Sequence, residues 1–95
     1  MLRQLKGVFK SFENHKVKYV VIGGLAVIVH GVPRSTLDLD ILIEATRENA
    51  ENLLKALFAA GLGTATLLTA DELLKNEITS FKDFVSIDVR RALRA

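Results

Sequence analysis

The chain has 95 residues, 49% hydrophobic and 25% charged, the make-up of one globular domain spanning 1–95. Its 13 Lys and Arg against 11 Asp and Glu leave a formal charge of +2, too slight to argue for nucleic-acid binding even with the basic tail "RRALRA". The absence of cysteine excludes a disulfide framework. Together with the lack of a signal-peptide core, it makes a cytoplasmic protein the expectation. No membrane partner is expected, because the apolar stretch 19–29 falls short of the ~20 residues of a span.

Leu2, Leu5, Val8, Phe9 and Phe12 recur at helical spacing with Arg3, Gln4, Lys6 and Lys10 between them, so an amphipathic helix is predicted to end near Asn14. "VKYVVI", residues 17–22, is β-branched and aromatic and stops at Gly23-Gly24, which suits a buried strand. "LAVIVH" follows and precedes Gly31 and Pro33; a short helix is favoured there. His30 would end that helix by bonding a carbonyl or else take a functional role.

"TLDLDILI", residues 36–43, alternates. Leu37, Leu39, Ile41 and Ile43 share one face of this strand, and Asp38, Asp40 and Leu42 share the other. Thr46 is then a plausible N-cap for a helix carrying Ala50, Leu53, Leu54, Leu57 and Phe58, closed by Gly61. Thr69 and Glu72 have capping-box spacing and start a shorter helix. "DFVSIDV", residues 83–89, alternates again, with Val85, Ile87 and Val89 on one face and Asp88 on the other. Arg90, Arg91 and Arg94 could grip a nucleic acid or an acidic partner, but a solvated terminal helix is the favoured expectation. The predicted order is α-β-α-β-α-(β)-α-β, an α+β fold with a small mixed sheet and helices on one face.

Asp38 and Asp40 project together from a strand that is otherwise apolar. Two carboxylates about 4 Å apart repel by about 4 kcal/mol at an effective dielectric of 20, so such a pair is left to water, protonated, or neutralised by a cation. Mg²⁺ prefers oxygen ligands and uses one or two carboxylates together with substrate phosphates. A third carboxylate would permit a two-metal site. Asp88 is the candidate, with Asp83 the fallback if the register is shifted by a bulge. Gly23 and Gly24, at a strand-to-helix turn, would offer backbone N–H groups to a phosphate. Arg34, Ser35 and Thr36 could add donors to the same group.

This arrangement, a strand, a Gly-Gly pair, a short helix, D-x-D on the next strand and a later Asp on a third, resembles the nucleotidyltransferase superfamily with the DNA polymerase β-type palm. "GGLAVIVHGVPRSTLDLDILI" is most similar to minimal prokaryotic nucleotidyltransferase-like proteins of the toxin–antitoxin and abortive-infection type. The resemblance implies that Gly23 and Gly24 hold a nucleoside triphosphate, ATP by preference. It also implies that Asp38 and Asp40 bind two Mg²⁺ ions, or Mn²⁺ in their place. Asp88 would complete the metal site and activate an acceptor hydroxyl on a protein or RNA. The implied setting is an antitoxin-like component acting on a toxin partner, in a chain small enough to favour a homodimer. The competing expectation is the same palm without catalysis, a binding module that neutralises a toxin or serves an assembly by contact; Gly24, where many active members carry Ser, favours it.

Overall fold

The computed structural model describes residues 2–23 and 37–92. Helix α1 (Leu2–Asn14) turns its apolar stripe inward, with Leu5, Val8 and Phe12 buried. It ends where the backbone can cap its own carbonyls. Lys16 N–H donates to Glu13 O at 3.1 Å and Val17 N–H to Phe12 O at 2.9 Å. Lys16 takes the left-handed φ of 56° that this closure needs. Val17, buried, then leads into strand β1 (Tyr19–Gly23).

Strand β2 (Leu37–Ile43) buries Leu39, Ile41 and Ile43 and leaves Asp38 exposed, with Asp40 and Leu42 half-buried. Helix α2 (Arg47–Ala59) starts at Thr46, whose hydroxyl accepts the Asn49 N–H at 3.2 Å. It closes in the same manner as α1. Gly61 sits at φ 100°, its N–H donates to Phe58 O, and Leu62 N–H donates to Leu57 O. Leu57 and Leu62 are both fully buried, the apolar contact that accompanies such a cap. A 3₁₀ turn (Gly63–Leu67) leads to helix α3 (Ala70–Lys75), where Thr69 and Glu72 form the capping box expected from their spacing. Strands β3 (Ile78–Lys82) and β4 (Val85–Arg91) follow.

The four strands lie in the order β1-β2-β4-β3; β2 and β4 run parallel and the outer pairs antiparallel. One face of this mixed sheet carries Leu39, Ile41, Ile43, Phe81, Val85, Ile87 and Val89 into a single core with the buried residues of the three helices. Each such side chain contributes roughly 1.5–3 kcal/mol on burial. The α+β architecture predicted from the alternating and helical patterns is the one observed.

Two local expectations are overturned. The bracketed strand between the second long helix and the short one is the 3₁₀ turn instead, and the additional strand is β3, after α3. The two arginines assigned to a terminal helix, Arg90 and Arg91, continue β4, because Arg90 pairs with Leu42 of β2 and Ile78 of β3 and Arg91 pairs with Ile43 of β2. The helix expected over "LAVIVH", with His30, and Arg94 lie outside the described residues.

A buried polar tie fixes where β1 and β2 meet. Asn49 is 3% exposed. Its Oδ1 accepts the Lys18 N–H at 2.8 Å, and its Nδ2 donates to Lys18 O and to Glu44 O, both at 3.0 Å. One amide side chain in the first turn of α2 therefore holds the residue before β1 and the residue after β2. This sets the register of the strand pair that carries the site.

Candidate active site

Strand pairing decides which residues share the sheet face opposite the core. Gly23 of β1 is paired with Asp40 of β2, Asp40 with Asp88 of β4, and Asp88 with Ser80 of β3. This row crosses all four strands. One step along, Asp38 is paired with Ser86 and Ser86 with Lys82. On the other side Val20, Leu42, Arg90 and Ile78 form a third row. Asp38 and Asp40 thus share a face as the alternation of β2 requires, and Asp88 is the cross-strand neighbour of Asp40. The two aspartate strands are parallel and adjacent, an arrangement that no spacing in the sequence states.

Gly23 meets Asp40 through an irregularity in β1. Val21 is paired with Ile41 and Gly23 with Asp40, so Ile22 is an extra residue in the ladder. The bulge makes a glycine the backbone partner of the aspartate. Ile22 itself is exposed.

The electrostatics of the row are unbalanced by design of the register. Like charges directly opposite each other across two strands are destabilising, and Asp40 and Asp88 are so placed. On its other side Asp88 has a donor: Ser80 Oγ–H donates to Asp88 Oδ1 at 2.6 Å, in the short range found for hydroxyls bonding an ionised carboxylate. Lys82 and Arg90, both exposed, flank the acidic row on the same face.

A divalent cation fits the chemistry of this row, since every donor in it is a hard oxygen. The side chains as they stand do not form a closed ligand set: among the described residues no three His, Asp or Glu groups are gathered closely enough to hold a metal ion. Asp38 and Asp40 on one strand and Asp88 beside Asp40 on the next share one face of the sheet.

Other ionisable side chains make local contacts away from the row. Asp83 lies in the β3–β4 connection, where its Oδ1 accepts the Phe84 N–H at 2.9 Å; it caps a turn and stands outside the acidic row. Glu44 is exposed and pairs with Lys18 at 3.7 Å. The His15 Nδ1 lies 2.8 Å from Ser11 O at the end of α1, a local contact. Gly24, Arg34, Ser35 and Thr36 lie outside the described residues. Ser80 escaped the sequence reading because β3 did. The signal available was "ITSF", a β-branched and aromatic run bounded by Asn76 and Asp83.

No helix among the described residues is long and apolar enough to cross a membrane. Comparison with curated proteins and with solved structures gives no match. A family model described as aminoglycoside-2''-adenylyltransferase matches residues 4–90, a span of nearly the whole chain within which Asp38, Asp40 and Asp88 lie. The palm-like resemblance of the Gly-Gly and D-x-D segments and this match agree on the chemistry class: the chain belongs to the aminoglycoside-2''-adenylyltransferase family, a family of nucleotidyltransferases.

Proposed function

We propose that this protein transfers the adenylyl group of ATP to a hydroxyl acceptor in a Mg²⁺-dependent reaction. The observation that carries the reading is the row in which Asp40 lies between Gly23 and Asp88 with Asp38 on the same face. Asp38, Asp40 and Asp88 would hold the cation, two ions in the fullest form of the site, with Mn²⁺ able to substitute. When bound, Mg²⁺ supplies charge neutralisation for the phosphates and alignment of the attacking and leaving oxygens.

The work of the chain's own residues follows from their positions. Gly23, with Gly24, Arg34, Ser35 and Thr36 beyond it in sequence, would receive the triphosphate, the glycines by backbone N–H and the others by side-chain donors. Asp88 would accept the proton of the acceptor hydroxyl as its oxygen attacks the α-phosphorus. One O–P bond forms, the bond from the α-phosphorus to the bridging oxygen breaks, and pyrophosphate leaves. Rigid strands suit this task, because phosphoryl transfer is driven by positioning and electrostatics. The family description points to an aminoglycoside 2''-hydroxyl as the first acceptor to try, with protein and RNA hydroxyls after it.

Isothermal titration of ATP into the protein, with and without Mg²⁺, tests the reading against an Asp38→Asn/Asp40→Asn double variant. Metal-dependent binding that the double variant loses is the expected result. Transfer of label from α-³²P-ATP to the acceptor panel then assigns the product. A well-folded wild-type protein that binds neither ATP nor any other triphosphate would overturn the reading.

A further inference from the structure

The geometry assigns Ser80 as the positioning residue of Asp88, the group that holds this third carboxylate in one orientation for cation binding. The inference rests on the proposed metal-dependent reading of the acidic row.

Asp88 has two cross-strand partners, and they act in opposite senses. Asp40, its partner in β2, brings a like charge. Ser80, its partner in β3, brings a hydroxyl that donates to Asp88 Oδ1 at 2.6 Å. A carboxylate with one oxygen bound in this way has lost most of its freedom to rotate, and its second oxygen still has lone pairs for a cation. Ligating carboxylates are commonly held by such outer hydrogen bonds, and removal of the outer partner typically costs 10–100-fold in metal affinity or activity. Asp38 and Asp40 share β2, whereas Asp88 is alone on its strand. The pair can therefore gain from each other in binding a cation, and Asp88 gains its order from β3.

Ser80 is also placed where only the hydroxyl distinguishes it. It is exposed, on the face opposite the core, in an outer strand of the sheet. Its replacement creates no cavity. The next residues on the same face of β3, Ile78 and Lys82, lack a hydroxyl, so the strand offers no substitute.

The test uses the full chain without nucleotide and reads Mn²⁺ binding from the loss of the free-ion electron paramagnetic resonance signal. Wild type is compared with Ser80→Ala, Ser80→Val and Ser80→Thr, each checked for an unchanged far-ultraviolet circular dichroism spectrum. Ala and Val are expected to weaken Mn²⁺ binding about tenfold, and Thr, which keeps the hydroxyl and suits a strand, to stay within about threefold of wild type. Ala and Val variants that bind like wild type would overturn the assignment, as would a Thr variant as weak as the other two. The Asp38→Asn/Asp40→Asn double variant separates the two levels. If it loses Mn²⁺ while Ser80→Ala does not, the metal site stands and the role of Ser80 falls. If wild type binds no Mn²⁺, both fall together.

Discussion

Asn49 offers the sharpest test of how the candidate site is held. Substitution by Ala removes three hydrogen bonds at once, to Lys18 N–H, Lys18 O and Glu44 O, from a side chain that is 3% exposed. Lys18 O keeps one partner, the Glu44 N–H at 3.3 Å. Lys18 and Glu44 are exposed residues, so water can reach part of what is uncovered. Two groups are then left to find new partners, and each lost bond contributes about 1 kcal/mol net, more where the orphaned group stays dry. The expected destabilisation is about 2–4 kcal/mol. For a domain of this size that lowers Tm by roughly 10–25 °C. Urea unfolding followed by circular dichroism measures it directly, with an unchanged m-value showing that the compactness of the two states is preserved. Asn49→Asp should be at least as harmful as Ala, because it keeps an acceptor for Lys18 N–H but turns an oxygen toward two carbonyls. A loss below about 0.5 kcal/mol for Asn49→Ala would refute the reasoning, since a typical hydrogen bond alone exceeds it.

Two further outcomes follow from single residues. Lys16, at φ 56°, bears the left-handed conformation that closes α1; Lys16→Gly relieves a strain of about 1–2 kcal/mol and gives back about 0.4–1 kcal/mol through the freer unfolded chain. A net gain of roughly 0.5 kcal/mol in thermal or urea unfolding is expected, and a clear loss would contradict the capping account. Tyr19 packs edge-on to Phe12 at 4.8 Å and stacks on Phe9; burial first, and the charge of Glu13 second, raise its phenol above the usual value. The folded state therefore keeps the proton that the unfolded chain gives up, so the Tyr19 contribution is full below pH 10 and is lost as pH rises through the folded pKa. Wild type should lose stability above pH 10 more steeply than Tyr19→Phe in parallel melts; superimposable alkaline limbs would remove Tyr19 as the cause.

Legibility in the sequence followed the range of the interactions. The apolar stripe of α1, the alternation of β2 and β4, the Thr46 N-cap, the Thr69–Glu72 box and the Gly61 closure are each written within a few residues, because a cap or a pleat is a local geometry. The same holds for Asp38 and Asp40, whose shared face follows from the two-residue period of a strand. β3 was not legible in this way. "ITSFK" alternates weakly, its inward residues being only Thr79 and Phe81, and it is a strand because β4 lies beside it to pair with. The arginines at 90 and 91 carry no strand signal of their own, yet β4 runs through them for the same reason.

An α+β domain, two carboxylates on one strand face, and a glycine pair at the end of another strand are all written in local residue patterns. So is Asp88, as an acid within an apolar alternation. Long-range pairing alone makes β2 and β4 parallel neighbours, stands Asp88 opposite Asp40, sets Gly23 across from the same aspartate through a bulge, and completes the row with Ser80. Those facts are matters of strand order and register. They depend on pairing between segments as far apart as Gly23 and Ser80, and on the Asn49 tie that fixes the first pair, which no local pattern of residues encodes.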